Sequence, residues 1–308
     1  MPSTPVLREF APDDVARITR LAEAVEQSTG IAPLDDDAWT GLHDTTGRDT
    51  GIALTGPGEP ADDLVAYAHL AHHHPGEWSV SLLVRPGAPD TRAALLRGAL
   101  DHIGAVGGGR VTVWFHGATD ADDALARDAG LTPDRELRQL RVALPLSEPV
   151  RWPEGMTVRT FRVGHDEDAW VRVNNRAFAG HPEQGGWTID MLRAREAEDW
   201  FDPEGFLLAF DADGLAGSCW TKVHAPRAPH EPDALGEIYV IGADPARHGT
   251  GLGRALTAGG LASLADRGVT TGMLFVDAAN EAAIGLYTKL GFTTHRVDRA
   301  YTIDLMLA

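Results

Sequence analysis

The sequence has almost no lysine and almost no cysteine. Among 308 residues there are two lysines, Lys222 and Lys289, and one cysteine, Cys219. A single cysteine rules out an internal disulfide and a zinc site built on cysteines. No apolar run approaches the ~18 residues of a membrane-spanning helix. Residues Met1 to Asp14 lack the basic stretch and apolar stretch of a secretory signal. These absences point to the cytoplasm and away from a membrane. Positive charge is short as well: 27 Lys and Arg stand against 45 Asp and Glu, a formal net charge of −18. No basic cluster offers the footprint of a nucleic-acid binder, so nucleic acid is not expected as a partner. The acidic surplus serves solubility and also suits a cationic substrate.

What remains is the balance of a globular protein, 43% hydrophobic and 23% charged, with length enough for two domains. One pattern is written twice. Leu7-Arg8-Glu9-Phe10 opens a strand-like then helical stretch, and Val158-Arg159-Thr160-Phe161 opens another. Ala129-Gly130-Leu131-Thr132-Pro133 and Leu290-Gly291-Phe292-Thr293-Thr294 each precede a strand-like segment. Pro and Glu mark a linker at 146–155, between a first domain at 1–145 and a second at 156–308. In the second half, periodicity predicts strands over 156–161, 206–210, 215–224, 236–243, 272–276 and 293–304. Helices are predicted over 165–178, 188–199, 251–267 and 280–290. The first half follows with helices over 13–27, 90–106 and 120–129, and strands over 51–54, 64–72, 79–84, 110–115 and 135–144. Strands interrupted by helices in this order predict an α/β (α+β) fold, with a mixed sheet in each half.

The clearest local signal is a strand, a glycine-rich turn and a helix. Gly236 to Ala243 is apolar and β-prone, and Asp244-Pro245 breaks it. His248-Gly249-Thr250-Gly251-Leu252-Gly253 follows, then the helical run from Arg254. Glycines allow close approach of a ligand, and a helix start offers unpaired N–H groups suited to a pyrophosphate. A P-loop needs a lysine after the glycines, and none is present. A Rossmann turn needs G-x-G-x-x-G, and the spacing here does not fit. Glycine-rich turns also occur with no ligand at all.

The loop resembles the coenzyme A loop of the GNAT acetyltransferase superfamily, with His248 where Gln or Arg is usual. Asn280, Tyr287 and Leu290-Gly291-Phe292 resemble that superfamily's later helix and turn. More specifically, residues 170–303 are similar to the mycothiol synthase family of tandem-GNAT acetyltransferases. The similarity runs through Val173 to Thr188, with its His181-Pro182-Glu183-Gln184-Gly185-Gly186-Trp187 string, Trp200 to Gly205, Trp220 to His224 and Gly236 to Val240. In the first half it is limited to layout and Ala32-Pro33.

The resemblance implies two tandem GNAT-like domains, each a mixed, mostly antiparallel sheet flanked by helices. It also implies an acetyl-CoA-dependent N-acetyltransferase that uses no metal and acetylates the cysteinyl amine of a cysteine–glucosamine–inositol conjugate. Glu237 would be the base and Tyr287 the acid. Acetyl-CoA would meet Ile241, Gly242 and Ala243, the run His248, Gly249, Thr250, Gly251, Leu252, Gly253 and Arg254, and Asn280. Asp36, Glu183, Lys222, Glu237 and Phe275 would meet the substrate.

Each role has a plainer counterpart. Glu237 could be an edge-strand surface carboxylate, Tyr287 a packing aromatic, Lys222 a solvated lysine, and Asp36 one of a solvated acidic run. Cys219 alternates with Trp220 on a strand and reads as a packing residue. His69, His72, His73 and His74 invite a metal reading, but no carboxylate or cysteine framework accompanies them. Other small amines as acceptor, or an acyl-CoA sensor without catalysis, remain open alternatives. The first-half counterpart of the loop, Val84 to Ala94, lacks the family's G-x-G turn and carries Pro89 where N–H donors are needed. The first domain is therefore expected to be a non-catalytic scaffold without coenzyme A, in a monomer.

Overall fold

The computed structural model describes residues 6–9, 11, 14–34, 36–42, 49–55, 64–74, 76–88, 91–180, 184–226 and 231–306. In chain order, the first half holds β1 (Val6–Glu9), α1 (Val15–Thr29), α2 (Asp36–Leu42), β2 (Thr50–Thr55), β3 (Leu64–His74), β4 (Glu77–Val84), α3 (Thr91–Ala105), β5 (Gly109–Phe115), α4 (Asp120–Asp128) and β6 (Thr132–Ala143). The second half holds β7 (Thr157–Thr160), α5 (Glu167–Ala177), α6 (Ile189–Glu196), β8 (Phe206–Asp211), β9 (Gly214–His224), β10 (Leu235–Ala243), α7 (Leu252–Asp266), β11 (Thr271–Asp277), α8 (Glu281–Lys289) and β12 (Thr293–Leu305).

The strands form one sheet of twelve, in the order β1-β2-β3-β4-β5-β12-β6-β11-β10-β9-β8-β7. The repeat seen in the sequence becomes a symmetry of this sheet. Strands β1 and β7, which carry the two copies of the opening motif, lie at its opposite ends. Pairing is antiparallel except for β4 with β5 and β10 with β11. These two parallel pairs need crossover helices, which α3 and α7 supply.

At the centre the halves exchange strands. By layout β6 belongs beside β5, but β12 takes that place, pairing Arg299 with Phe115 through Leu305 with Gly109. Strand β6 pairs instead with β11, from Leu137 opposite Asp277 to Ala143 opposite Thr271. The two exchanged strands also pair with each other.

Alternation along the strands decides which side chains reach which face. On β10, Ile238 is buried on one face and Glu237 lies on the other; past the bulge at Tyr239, Tyr239 and Val240 both pack with Trp220 on the Glu237 side. Helix α7 packs on the Ile238 face and comes very near the sheet. A Cβ at Gly260 would collide with the Cys219 Sγ, so glycine is needed there. Around β9, Trp220 sits fully buried among Trp170, Trp187, Trp200, Phe201, Phe206 and Tyr239. The Trp170 indole N–H donates to Ser218 Oγ at 2.9 Å. Asn174 and Asn175 on α5 hold the following segment: Asn174 donates to the Gln184 carbonyl at 3.0 Å, and Asn175 bonds the Trp187 backbone through both its amide atoms, at 2.8 and 2.9 Å.

Candidate active site

Parallel pairing of β10 with β11 is limited to three positions, Leu235, Gly236 and Glu237 opposite Thr271, Gly272 and Met273. Beyond Glu237 the strands part. Strand β10 stays bound to β9 as far as Ala243, with a bulge at Tyr239 between Ile238 and Val240. Strand β11 stays bound to β6. One edge of β10, from Ile238 to Ala243, therefore faces a cleft rather than a neighbour, and its N–H groups are available to a ligand.

At the far end of that edge, Asp244-Pro245 leads through a short 3-10 turn into the glycine loop and α7. Gly249 (φ 76°) and Gly251 (φ 86°) adopt left-handed backbone that other residues enter at a cost. A Cβ at either would meet nothing within 4 Å, so backbone conformation, not crowding, demands the glycine. Gly251 caps α7 without any side-chain bond, which leaves the first-turn amides and the positive dipole end open. This cradle fits a pyrophosphate. Arg254 pairs with Glu148 at 2.9 Å on the surface. Helix α8 runs beside the cradle: Leu286 Cδ1 lies 3.7 Å from where a Gly253 Cβ would stand. Asn280 caps α8, accepting from the Ala283 N–H at 3.1 Å.

Tyr287 on α8 is 8% exposed and packs on Phe292 with ring centroids 5.6 Å apart. Burial, then the nearby Cys219, pushes its phenol up to about 12. It is thus a protonated group at neutral pH, able to donate. Cys219 itself is fully buried, and burial pushes its thiol up to about 12. A thiol so rarely ionised is a packing group, not a nucleophile.

On the other face of the sheet lies a cavity of about 840 Å³ with walls from both halves. Lys222 and His224 of β9, Glu237 and Tyr239 of β10, and Met273 and Phe275 of β11 line one side. The Lys222 ammonium lies over the rings of Trp200 and Tyr239, at 4.5 and 5.6 Å. Glu237 Oε2 meets His224 Nε2 at 2.7 Å. The opposite side comes from β3, β4, β5, β6 and β12 and is polar. His69 bonds Asp49 at 3.2 Å and the Tyr67 hydroxyl at 3.3 Å. His116 Nδ1 approaches Asp298 Oδ2 at 3.4 Å, while its Nε2 is buried without a protein partner among the described residues. Burial alone would raise the Asp298 carboxyl, but the His116 bond and the Arg296 charge bring it below the usual range. Arg141 of β6 pairs with Glu231, ahead of β10, at 2.6 Å, an ion pair that ties the two halves together across the cavity.

Of the residues singled out in the sequence, Glu237, Lys222 and Phe275 come together in this cavity. Ile241, Gly242 and Ala243 lie on the free edge of β10, and His248 to Arg254 form the cradle beyond it. Tyr287 and Asn280 sit on α8 and do not line the cavity. Glu183 lies outside the described residues. Asp36 begins α2, whose Ala38, Thr40 and Gly41 line the cavity, but its side chain lies outside what the structure describes. The histidines at 69–74 do not converge: His69 is bonded to Asp49 and Tyr67, His72 stacks on Trp78 at 4.4 Å, His73 bonds Ser79 at 2.8 Å, and the His74 side chain is outside the described residues. Sequence reasoning missed His224, His116 and Asp298 as site residues. His224 carried a signal, since it stands two residues from Lys222 and so on the same face.

This arrangement matches known proteins. Residues 169–292 match the acetyltransferase (GNAT) family. A mycothiol acetyltransferase of Geodermatophilus obscurus is 42% identical over 97% of this chain and 98% of its own. One from Thermobispora bispora is 43% identical over 94% and 96%. The chain belongs to the mycothiol acetyltransferase family. It is accordingly an N-acetyltransferase. Solved structures agree on the fold of this family member. A GCN5-related N-acetyltransferase from Sphaerobacter thermophilus superposes with a TM-score of 0.74 at 22% identity, covering 99% of this chain and 97% of that one. A tandem GNAT protein from the clavulanic acid biosynthesis pathway gives 0.72 at 17% identity, covering 99% and 100%.

Proposed function

We propose that this protein moves the acetyl group of acetyl-CoA onto the cysteinyl amine of desacetylmycothiol, a cysteine–glucosamine–inositol conjugate, to give mycothiol. The observation that carries the reading is Glu237, placed where the free edge of β10 opens into a cavity walled by both halves. The mycothiol acetyltransferase names of its relatives support the acceptor.

Acetyl-CoA supplies the acetyl group as a thioester, its pyrophosphate on the amides of Gly249 to Arg254. Glu237 takes a proton from the acceptor ammonium, directly or through one water, and so frees the nitrogen lone pair. The N–H groups of Ile241 to Ala243 face the carbonyl oxygen as charge builds on it. As the C–N bond forms and the C–S bond breaks, the Tyr287 hydroxyl gives its proton to the departing sulfur, the acylated nitrogen releases its second proton to solvent, and Tyr287 regains a proton from solvent. Lys222 meets the acceptor's hydroxyls, and Glu183 and Asp36 are assigned to the same acceptor. The unpartnered Nε2 of His116, beside Asp298, suits a hydroxyl at the polyol end.

The first half supplies a wall and no second reaction. We therefore assign one acetyl-CoA per chain, and titration that found two would overturn this. Both walls come from one chain, so the site needs no second copy and a monomer suffices. No helix among the described residues is long and apolar enough to cross a membrane, which suits a cytoplasmic enzyme. The deciding experiment follows acetylated product by mass for the conjugate, free cysteine and glucosamine. The conjugate should react far faster, and equal rates would sink the assignment.

A further inference from the structure

We propose that His224 is the positioning residue for Glu237, fixing which oxygen of the carboxylate receives the acceptor's proton. The inference rests on the reading of Glu237 as the base.

Glu237 has competing partners by register. Lys222 stands directly opposite it across the β9–β10 pair, and His224 stands opposite Leu235, one diagonal away. All four face the cavity. Left to Coulomb's law, the Glu237 carboxylate would turn to the Lys222 ammonium opposite it. The structure arranges otherwise. The ammonium is carried onto the Trp200 and Tyr239 rings, and the bulge at Tyr239 brings that second ring into place. The imidazole takes the carboxylate instead, Nε2 to Oε2 at 2.7 Å.

That contact constrains a side chain that needs it. Glu237 is the last residue of β10 held by strands on both sides, and the chain beyond it is held on one side alone. A glutamate there has three rotatable bonds, and a single bond from a planar ring removes most of that freedom. With the ring proton on Nε2, His224 donates to Oε2 and leaves Oε1 to take the proton. The side chains of the pair are 19% and 12% exposed, dry enough to hold this geometry. His224 touches neither acetyl group nor acceptor nitrogen in this scheme and acts through Glu237 alone.

The test is a double-mutant cycle on the full chain with acetyl-CoA and the cysteine–glucosamine–inositol conjugate. His224→Leu should lower kcat by roughly tenfold or more and leave the acetyl-CoA KM nearly unchanged, the signature of a group acting in the transition state. His224→Gln, which keeps an N–H near the place of Nε2, should recover most of that loss. The double variant His224→Leu/Glu237→Gln should be no slower than Glu237→Gln alone, because both changes act through one carboxylate. Multiplied losses in the double variant, or His224→Gln as slow as His224→Leu, would overturn the proposal. Acetyl-CoA titration checks folding, and if the leucine variant fails it, His224→Asn, whose donor is too short to reach, replaces it. Slow Glu237→Gln with full-speed His224→Leu would remove His224 and spare the base. Full-speed Glu237→Gln would remove the base itself.

Discussion

In the proposed mechanism two side chains, Glu237 and Tyr287, divide the proton traffic, and their surroundings differ in ways that predict different behaviour. Glu237→Gln keeps the shape of the carboxylate and removes its basicity. It should lower kcat by about 10²–10⁴-fold, the usual worth of a general base, with acetyl-CoA affinity nearly intact by calorimetric titration. Collapse of that affinity would make Glu237 a structural strut. Tyr287 lies in apolar packing that raises its phenol from 10 to about 12. A raised value favours the neutral form, so the proton is present below pH 10 and lost only as pH rises through about 12. The rate profile should therefore show no phenol-linked loss near pH 10. An alkaline limb centred there, absent in Tyr287→Phe, would mean that the phenol is not protected. Glu237 and Tyr287 were both legible as candidates in the sequence, and so was Lys222. The His224 partner was not assigned, because a contact one diagonal away depends on strand register that no local pattern states.

At the level of elements, the cradle offers a test in which stability and binding part company. Gly253 lies in the first turn of α7 and has room: a Cβ would meet only Leu286, at ordinary contact distance. Gly253→Ala should leave the protein as stable or raise it by up to about 1 kcal/mol, since alanine favours helix. It should also weaken acetyl-CoA binding by roughly tenfold, about 1.4 kcal/mol, because the added methyl crowds the first turn whose amides are proposed to hold the pyrophosphate. Gly251→Ala differs, since its φ of 86° costs other residues about 1–2 kcal/mol, and it should lower the melting temperature as well. Unchanged affinity in Gly253→Ala, measured by calorimetry beside thermal melts, would mean that the cradle holds no cofactor. Strand, turn and helix here were legible because glycine spacing and a proline break act locally: α7 was expected over 251–267 and runs Leu252–Asp266. Helix α2 was missed, since the acidic run at 35–37 reads as a loop and its helix is made by packing Ala38 and Leu42 into the first-half core.

The exchange of β6 and β12 governs the whole molecule. Each half lends the other a strand, so neither sheet can finish alone. Far-UV circular dichroism and calorimetry should report one unfolding transition, and removal of residues 293–308 should unfold the first half as well as the second. Two resolved transitions, or a stable folded first half after truncation, would contradict this. The same exchange brings Arg141 of β6 to Glu231 and Asp298 of β12 to His116, so the polar wall of the cavity is a product of the central strand order. The sequence by itself determined most of the element order, the doubled plan, the strand, glycine turn and helix around 236–266, and the acetyltransferase family, because period, breakers and motif strings are properties of short stretches. Only the tertiary structure decided that the two halves share one sheet and that His224 rather than Lys222 holds Glu237. Those outcomes rest on pairings between residues far apart in the chain, and their energies do not appear in any window of the sequence.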